Sequence, residues 1–491
     1  GLCRVYSPKR VFQLLFHCTA VLRSLAARDF FLIHGPPGTG KTITCVEIIA
    51  QLVTYKRARS CKILAAADSN VAVDNLVERL DKIGVNVVRV GHPARVIPSL
   101  RRRSLDYLAQ DDPDYIKAQE LRGKGYEMKE RMKGFIVPEM KWRRGLSDEA
   151  IMTLAREGRT TRGIPWHKIA GMRKWLDLRQ RIDTLFRDAR ALEERAIKRI
   201  IHSADVICAT NSTVGSEILK GVRFDFAVID EATQSTEPSS LIPVLKTKRF
   251  IMAGDHKQLP PTILNEEAAR RSLSKSFFER LFELHGDTIR VMLDVQYRMN
   301  DAIAEFPSME FYDGKLKADE RVQKQSLQEA GFVDEDESPL LFIDTRGSET
   351  FAERTRRGST SKENAGEAKL VKEIAERLLR MGIKPADIAI ISPYDDQVAL
   401  IKQALRVDGL EVKTVDGFQG REKEVVIVSF VRSNKSGDIG FLRDLRRLNV
   451  SITRAKRKLV LIGDSNTLEG EGCYKRLVAL AKARGGYKRV G

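Results

Sequence analysis

The 491-residue sequence contains no uninterrupted run of about 18 apolar residues, the length that a membrane-spanning helix requires. Its start also lacks a basic segment followed by an apolar core and a small-residue cleavage site, which is the pattern of a secretory leader. Both absences argue against a membrane or exported protein. We therefore expect a cytoplasmic location, or a nuclear one in a eukaryotic cell, and no membrane partner.

Cysteine is sparse, and its spacing does not suggest a metal site. The sequence contains no C-x-x-C pair and no histidine at ligand spacing from a cysteine. We therefore expect structural thiols in a reducing compartment and not a zinc site. The six cysteines are Cys3, Cys18, Cys45, Cys61, Cys208 and Cys473.

A glycine-rich stretch follows a strongly apolar segment near the start. Residues 30–33 read FFLI and predict a buried parallel strand. They run directly into a phosphate-binding pattern, G-x-x-x-x-G-K-[ST], formed by Gly35, Pro36, Pro37, Gly38, Thr39, Gly40, Lys41 and Thr42. Glycines let backbone N–H groups surround a phosphate, Lys41 adds positive charge, and Thr42 supplies a hydroxyl for Mg²⁺. We expect a nucleotide to bind here.

The same half of the chain shows an alternation of strands and helices. Strands are predicted at 62–67, 85–90, 206–209, 226–229 and 250–253, and helices at 11–25, 41–55 and 71–80. Asp230 and Glu231 directly follow one predicted strand, and Gln258 comes shortly after another. Ligands bind at the carboxyl ends of parallel strands. Asp230 is therefore predicted to hold Mg²⁺, Glu231 to accept a proton from the attacking water, and Gln258 to contact a γ-phosphate.

Positive charge is concentrated in one helical stretch. The chain has 85 Lys and Arg against 66 Asp and Glu, a net charge of +19, which indicates a polyanionic partner. Residues 92–203 interrupt the strand and helix alternation and hold 26 basic against 16 acidic residues, densest at 101–103 and 141–144. A helical hairpin with ordinary surface charge would fit this pattern. We favour an arm that contacts phosphates.

The second half repeats the alternation without a second phosphate loop. Strands are predicted at 340–343 and 388–392, with a last strand at 459–462 closing the unit, and helices are predicted at 366–381 and 396–405. A unit with this pattern and no phosphate loop of its own suggests a partner that closes on the ATP held by the first half.

Six motifs in order resemble those of superfamily 1 helicases, in the branch that contains the nonsense-mediated-decay RNA helicase, senataxin and the immunoglobulin-mu-binding helicase. They read GPPGTGKT, DEATQ, GDHKQLPP, QYRMN, VDGFQGREKEVVIVS and LNVSITRAKRKLVLIGD. The resemblance implies an α/β fold of two tandem RecA-like P-loop NTPase domains with parallel sheets flanked by helices. The first domain would span 1–290, including the insertion at 92–203, and the second would span 291–491.

The resemblance also implies roles for matching positions. Arg298 and Arg454 would act as arginine fingers, Tyr297 would lie near the base, and Glu422 would contact the ribose. The nucleotide would be ATP with Mg²⁺, held by Thr42 and Asp230. Nucleic-acid contacts would come from Ser69, Asn70, Thr210, Asn211, Pro393, Tyr394, Thr414, Asp416 and Gly417.

Two features differ from the family pattern. His17 stands where the family usually has the glutamine that reads adenine, so nucleotides other than ATP could be accepted. Relatives also carry a small β-barrel on a helical stalk before that position, and this sequence starts after it. Loss of the barrel and a partial sequence are both compatible with this start, and we expect the insertion to take over part of the strand grip.

We therefore predict an ATP-dependent translocase or helicase that acts on single-stranded or partly duplex nucleic acid as a monomer, with 5′ to 3′ polarity implied by the resemblance. One alternative is an ATP-gated clamp or ribonucleoprotein remodelling factor that does not unwind processively. Another is a nucleotide-binding module without catalysis, which the change at His17 suggests. RNA and DNA are not distinguished, because both present the same phosphates.

Overall fold

The computed structural model describes residues 8–56, 61–263 and 265–490, and within them the side chains of all but residues 8–16, 55, 56, 266 and 269. The chain divides into two compact units, one of residues 1–73 with 222–491 and one of residues 74–221. Cys3 lies outside the described residues. Cys45, Cys208 and Cys473 are buried thiols without a disulfide bond.

Seven strands lie in the first 292 residues: β1 (Phe30–His34), β2 (Ile63–Ala67), β3 (Val87–Val90), β4 (Val206–Thr210), β5 (Phe224–Ile229), β6 (Thr247–Gly254) and β7 (Arg290–Met292). In the first unit five of them are parallel neighbours in the order β2-β5-β6-β1-β7. In the second unit β3 pairs in parallel with β4. The strands predicted from the sequence are confirmed here, each boundary within three residues.

Eight further strands follow: β8 (Val295–Gln296), β9 (Lys317–Ala318), β10 (Leu340–Asp344), β11 (Ile388–Ser392), β12 (Glu411–Thr414), β13 (Lys423–Ser429), β14 (Ala455–Gly463) and β15 (Tyr487–Arg489). The last six form a parallel sheet in the order β12-β11-β13-β14-β10-β15. The prediction that 459–462 is the closing strand was wrong, because β15 adds to the edge beside β10. Its sequence, YKR, is too short and too polar to predict a strand.

Apolar residues cover both faces of this second sheet. Along β10, Leu340 and Phe342 enter one buried cluster, whereas Leu341 and Ile343 enter another. Successive strand residues point to opposite faces, so a strand that is apolar throughout needs helices on both sides. The fold is therefore α/β, as the sequence predicted.

The described residues form helices in both units. The first three helices are α1 (Pro8–Ala26), α2 (Lys41–Lys56) and α3 (Asn70–Lys82), of which α3 continues into the second unit. The insertion and its flank contain α4 (Leu105–Gln110), α5 (Pro113–Met132), α6 (Met140–Arg143), α7 (Asp148–Glu157), α8 (Trp166–Ser203) and α9 (Asn211–Val214). The remainder are α10 (Glu237–Val244), α11 (Glu266–Ala268), α12 (Phe277–Leu284), α13 (Asp301–Phe311), α14 (Ala365–Arg380), α15 (Asp395–Ala404), α16 (Leu445–Ile452), α17 (Ser465–Leu468) and α18 (Gly472–Ala483).

The second unit is built on a long helical hairpin of α5 and α8. Small residues allow the two helices to approach closely: Ala118, Ala189 and Ala196 are fully buried. A side chain at Gly125 would meet the ring of Phe186 at 3.1 Å. The predicted helical character of residues 92–203 is confirmed.

The far end of the hairpin has a core of its own, and we call residues 133–176 the cap. Ile151, Ile169 and Met172 are fully buried there, packed against partly buried Trp142 and Trp175. The cap therefore has its own cluster of packed apolar residues, part of it on the first turns of α8. In the part of the chain that the structure describes, no helix combines the length and the apolar character needed to cross a membrane.

Candidate nucleotide site and nucleic-acid contacts

The phosphate loop connects the end of β1 to the start of α2. The Lys41 ammonium folds back and donates to the Gly35 carbonyl at 2.6 Å. A Cβ at Gly35 would lie 2.0 Å from Cγ of Lys41, so only glycine permits this path. Gly38 has a φ of +75°, and a Cβ there would lie 2.7 Å from that of Arg298. The side chains of Lys41 and Arg298 therefore lie close against the loop backbone at two glycines.

The remaining loop residues hold the turn together. The Thr39 hydroxyl donates to the Pro36 carbonyl at 2.7 Å, and Pro36 and Pro37 are buried. Gly40 has a φ of +81° and precedes the first turn of α2. The backbone N–H groups at the start of α2 therefore face the same space as the loop, which is the arrangement that binds phosphate.

Two carboxylates end β5 beside this loop. The Thr42 hydroxyl donates to the Asp230 carboxylate at 2.8 Å, although 188 residues separate them. Burial and the neighbouring Glu231 charge raise the pKa of Asp230 to about 6. Glu231 adopts a left-handed backbone with φ of 49°, which is uncommon for a residue with a side chain. The Glu231 carboxylate accepts a hydrogen bond from the Gln234 side-chain amide at 3.0 Å.

Gln258 and Arg454 join the loop after β6 to the start of β14. The Arg454 guanidinium donates to the Gln258 side-chain oxygen at 3.0 Å, and both side chains are buried. Burial and the charge of nearby Arg298 lower the pKa of Arg454 to about 9. Among the described residues Arg454 has no carboxylate within 4.0 Å. Its charge is therefore uncompensated by a salt bridge, which favours an anion at this position.

Arg298 reaches the phosphate loop from the segment after β8. The backbone N–H of Tyr297 donates to the Gly38 carbonyl at 2.9 Å, which fixes Arg298 next to the loop. Its guanidinium donates to Glu422 at 2.6 Å and to the Thr453 carbonyl at 3.0 Å. Burial opposes ionisation of Glu422, but the charges and hydrogen bonds of Arg298 and Lys456 together lower its pKa. Both predicted arginine fingers therefore lie at the nucleotide loops.

His17 and Tyr297 contact the phosphate loop at Thr39 and Gly38. The His17 imidazole contacts the Thr39 carbonyl at 2.8 Å, and its ring centre is 6.0 Å from that of Tyr297. Arg321 lies over the Tyr297 ring at 5.2 Å. The predicted base-binding residues are therefore brought together, and His17 contacts the phosphate loop itself.

A buried hydrogen-bond network surrounds Gln258. Asp255 accepts from His34 at 3.0 Å, from Gln258 at 2.7 Å and from the Tyr312 hydroxyl at 2.8 Å. Tyr312 in turn accepts from Asn449 at 2.7 Å, and Asn449 also donates to a backbone carbonyl of the Gln258 loop at 2.8 Å. Burial alone would raise the pKa of Asp255, but the bond to His34 and its charge lower it. The position of Gln258 thus depends on side chains from three distant segments.

Three of the nine predicted nucleic-acid residues cap a helix or a turn. Ser69 accepts from the Ala72 N–H at 3.2 Å, Thr210 caps α9, and Thr414 accepts from the Gly417 N–H at 3.3 Å. In the first unit Ser69, Asp416 and Gly417 are exposed, whereas Asn70, Pro393 and Thr414 are partly exposed. These positions are accessible to a strand.

Three of the predicted contacts are not at the surface. The Tyr394 ring is 4% exposed, and its hydroxyl accepts from Arg432 at 3.5 Å. In the second unit Thr210 and Asn211 are also buried. Contacts at these positions would therefore involve the backbone or neighbouring residues.

One histidine cluster offers ligand atoms of the kind that bind metals. Ligand atoms of His34, Asp255 and His256 lie within 4.8 Å of one another. His34 is already bonded to Asp255, and burial lowers the pKa of His256 to about 3. The cavity beside them, of about 420 Å³, is lined by more cations than carboxylates: Arg23, Lys257, Arg290 and Lys315 against Asp287 and Asp313. Their positive charge opposes a metal ion.

The family described as AAA domain matches residues 18–266 and again residues 273–466. An ATP-dependent helicase of Methanocaldococcus jannaschii, described as uncharacterized, is 45% identical over 477 residues, covering 94% of this chain and 69% of that protein. The chain belongs to the superfamily 1 helicases. The DNA-binding protein SMUBP-2 of Rattus norvegicus is 40% identical to this chain over 469 residues, which are 94% of this chain and 43% of that protein.

Among solved structures, the nonstructural protein 10 helicase of an arterivirus in complex with DNA has a TM-score of 0.39 and 13% identity, covering 90% of this chain and 62% of that chain. The chain spans only part of the length of each of these relatives. Family membership confirms nucleotide use.

Four residues of this candidate site were not predicted from the sequence: His34, Asp255, Tyr312 and Asn449. Asp255 lies within the GDHKQ motif and could have been found from its place after β6. Tyr312 and Asn449 carry no local signal, since a tyrosine after a helix and an asparagine within one are common. Only the folded chain brings them to Asp255.

Proposed function

We propose that this protein is a nucleic-acid-stimulated ATPase that moves along single strands and separates duplexes, with 5′ to 3′ polarity expected from the family resemblance. The observation that carries the proposal is that Arg298 and Arg454, both from the second half of the chain, reach the loops of Lys41 and Gln258 in the first half. The two halves would be RecA-like domains of residues 1–290 and 291–491.

Lys41 would leave the Gly35 carbonyl and bind the β- and γ-phosphates, with the loop from Gly35 to Thr42 around them. Glu231 would accept the proton of the attacking water, and Gln258 would contact the γ-phosphate. Thr42 and Asp230 fit Mg²⁺, because a hydroxyl and a carboxylate already lie 2.8 Å apart. When bound, the ion would neutralise charge on the phosphates.

Arg454 would supply positive charge to the transferring phosphoryl group. Its lack of a carboxylate partner supports this role, because a phosphate would then provide the missing counter-charge. Arg298 would exchange its bond to Glu422 for one to phosphate and free Glu422 to contact the ribose. Such arginines contribute about 10³ to 10⁵ in rate in related phosphoryl-transfer enzymes.

His17 and Tyr297 would flank the base. The His17 bond to the Thr39 carbonyl holds its ring in place without the amide that would read adenine, so we propose relaxed selectivity among nucleotides. A comparison of ATP and GTP hydrolysis measures this directly. A strong preference for ATP would contradict it.

Single strands would contact hydroxyl, amide and backbone groups that carry no sequence preference. The accessible groups of the first unit are Ser69, Asn70, Pro393, Thr414, Asp416 and Gly417. Thr210 and Asn211 of the second unit and Tyr394 would contribute through the backbone. We propose action as a monomer, in the cytoplasm or, in a eukaryote, also in the nucleus.

The decisive experiment measures ATP hydrolysis with and without matched RNA and DNA single strands at two salt concentrations, followed by displacement of a labelled strand from a tailed duplex. Stimulated hydrolysis with displacement supports the proposal. Stimulated hydrolysis without displacement would indicate the clamp alternative, and absence of hydrolysis would leave a binding module.

A further inference from the structure

The basic charge of the second unit is concentrated in the cap. Residues 92–203 carry 26 Lys and Arg against 16 Asp and Glu. The cap, residues 133–176, holds ten of these basic residues and only four of the acidic ones, a net charge of +6. The remaining residues of the insertion, mainly the hairpin shaft, have a net charge of +4 over a longer stretch.

Ion pairs neutralise much of the shaft charge. Arg122 pairs with Glu193, Arg190 with Glu194, and Arg199 with both Asp112 and Asp114. In the cap, six of the ten basic residues have no carboxylate within 4.0 Å among the described residues: Lys141, Arg144, Arg156, Arg162, Lys168 and Lys174. The cap therefore presents positive charge that needs a partner outside the unit.

Aromatic side chains lie among these cations. The ammonium groups of Lys141 and Lys168 are 5.0 and 4.2 Å from the ring centre of Trp142. Trp166, two residues before Lys168, is 43% exposed, and Met140 next to Lys141 is 92% exposed. The cap therefore offers one exposed ring, that of Trp166, and lysines without a carboxylate partner, and this combination binds single strands without sequence preference by base stacking and phosphate contact.

Two loops of the cap are bonded to each other. The Arg144 guanidinium donates to the Arg162 carbonyl at 2.6 Å, and Arg162 donates back to the Arg144 carbonyl at 2.5 Å. This reciprocal pair connects the loop after α6 to the loop before α8. The two contacts reduce the ordering that these loops would require on binding.

We propose that the cap is a binding site for single-stranded nucleic acid, in which Lys141 and Lys168 contact phosphates and a base stacks on Trp166. This inference rests on the proposed function, because it adds a strand contact in the second unit to those proposed for the first. A protein partner would use the same exposed Met140 and Trp166, but the six cations of the cap without a carboxylate partner favour a polyanion.

The test uses the full chain and a fluorescent oligothymidylate. The Lys141→Ala/Lys168→Ala variant should bind roughly 5- to 20-fold more weakly at moderate salt. The slope of log affinity against log salt should fall by about 1.4, since each phosphate contact contributes about 0.7 on a single strand. The matched control is Lys124→Ala/Lys198→Ala, which removes two exposed, unpaired shaft charges and should change affinity less than about twofold.

Trp166→Ala should weaken binding about tenfold with an unchanged salt slope, because stacking releases no counterions. The Trp166→Phe variant should retain most of the wild-type affinity. Equal losses in the cap and shaft variants, or wild-type affinity in all of them, would overturn the cap site. If the wild type hydrolyses ATP with strand stimulation in that case, the proposed function survives; if it hydrolyses none, the proposed function itself fails.

Discussion

The nucleotide site and the cap differ in how they hold their charged groups. At the nucleotide site Asp230, Gln258 and Arg454 are buried and bonded to side chains more than 180 residues away. In the cap, Lys141 and Trp166 are exposed, and their surroundings are local in sequence. Phosphoryl transfer requires fixed geometry, whereas strand binding requires only accessible charge and rings.

The largest expected effect comes from removing a charge at the buried site. Arg454→Ala should lower ATP turnover by about 10³ or more, because no other cation replaces it at Gln258. Nucleotide affinity should stay within a few fold, since the Lys41 loop is intact. Stopped-flow binding of a fluorescent nucleotide measures the affinity, and steady-state hydrolysis measures the turnover. Arg454→Lys is the control for charge alone, and full activity in that variant would show that the fork geometry is unnecessary.

Glu231→Gln should lower turnover by about 10² to 10⁴ while retaining ATP binding, since the amide keeps the shape but accepts no proton. Single-turnover hydrolysis measures the chemical step. Glu237→Gln is a suitable control, because Glu237 lies nearby in the sequence and pairs with Arg280 at 2.6 Å. Normal turnover in the Glu231 variant would remove it from the proposed role.

Tyr312→Phe tests whether the network around Gln258 matters for turnover. It removes the bonds to Asp255 and Asn449 and should lower kcat about tenfold with little change in KM for ATP. Tyr474→Phe is the matched control: Tyr474 is equally buried and donates to the Leu442 carbonyl at 3.1 Å, away from the nucleotide site. The Tyr474→Phe change should lower the free energy of unfolding and leave kcat unchanged. Equal kcat values in the two variants would show that the network is merely structural.

The smallest expected effect on turnover concerns a buried carboxyl outside the site. Burial raises the pKa of Glu367 to about 8, although the Ser429 hydroxyl and the Val431 N–H bond to it. Between about pH 4.5 and 8 the folded chain therefore holds a proton that the unfolded chain releases. The free energy of unfolding should fall across this range by roughly 4 to 5 kcal/mol relative to Glu367→Gln, since each pKa unit corresponds to about 1.4 kcal/mol.

Urea unfolding at pH 5 and pH 8 measures this difference, with ATP turnover expected to match the wild type. Parallel pH dependence in the wild type and the Glu367→Gln variant would contradict it. The expected result would show that this buried polar group affects stability and not turnover, in contrast to the buried groups of the nucleotide site.

Local sequence patterns predicted most strands and the phosphate loop, because apolar runs and glycine spacing depend on neighbours in the chain. Asp230 and Glu231 could be placed after β5 for the same reason. The left-handed backbone of Glu231 and the short strand β15 could not, since tertiary contacts impose them. The burial of Tyr394, expected as a strand contact, also became visible only in the folded chain.

By itself the sequence determined the α/β class, the nucleotide loop and the basic helical insertion, because each follows from residues that are close together in the chain. The tertiary structure alone decided that Arg454 contacts Gln258, that Tyr312 supports Asp255, and that unpaired charge is concentrated in the cap. Contacts between distant residues and the neutralisation of charges by partners depend on how the chain packs, and no local pattern records them.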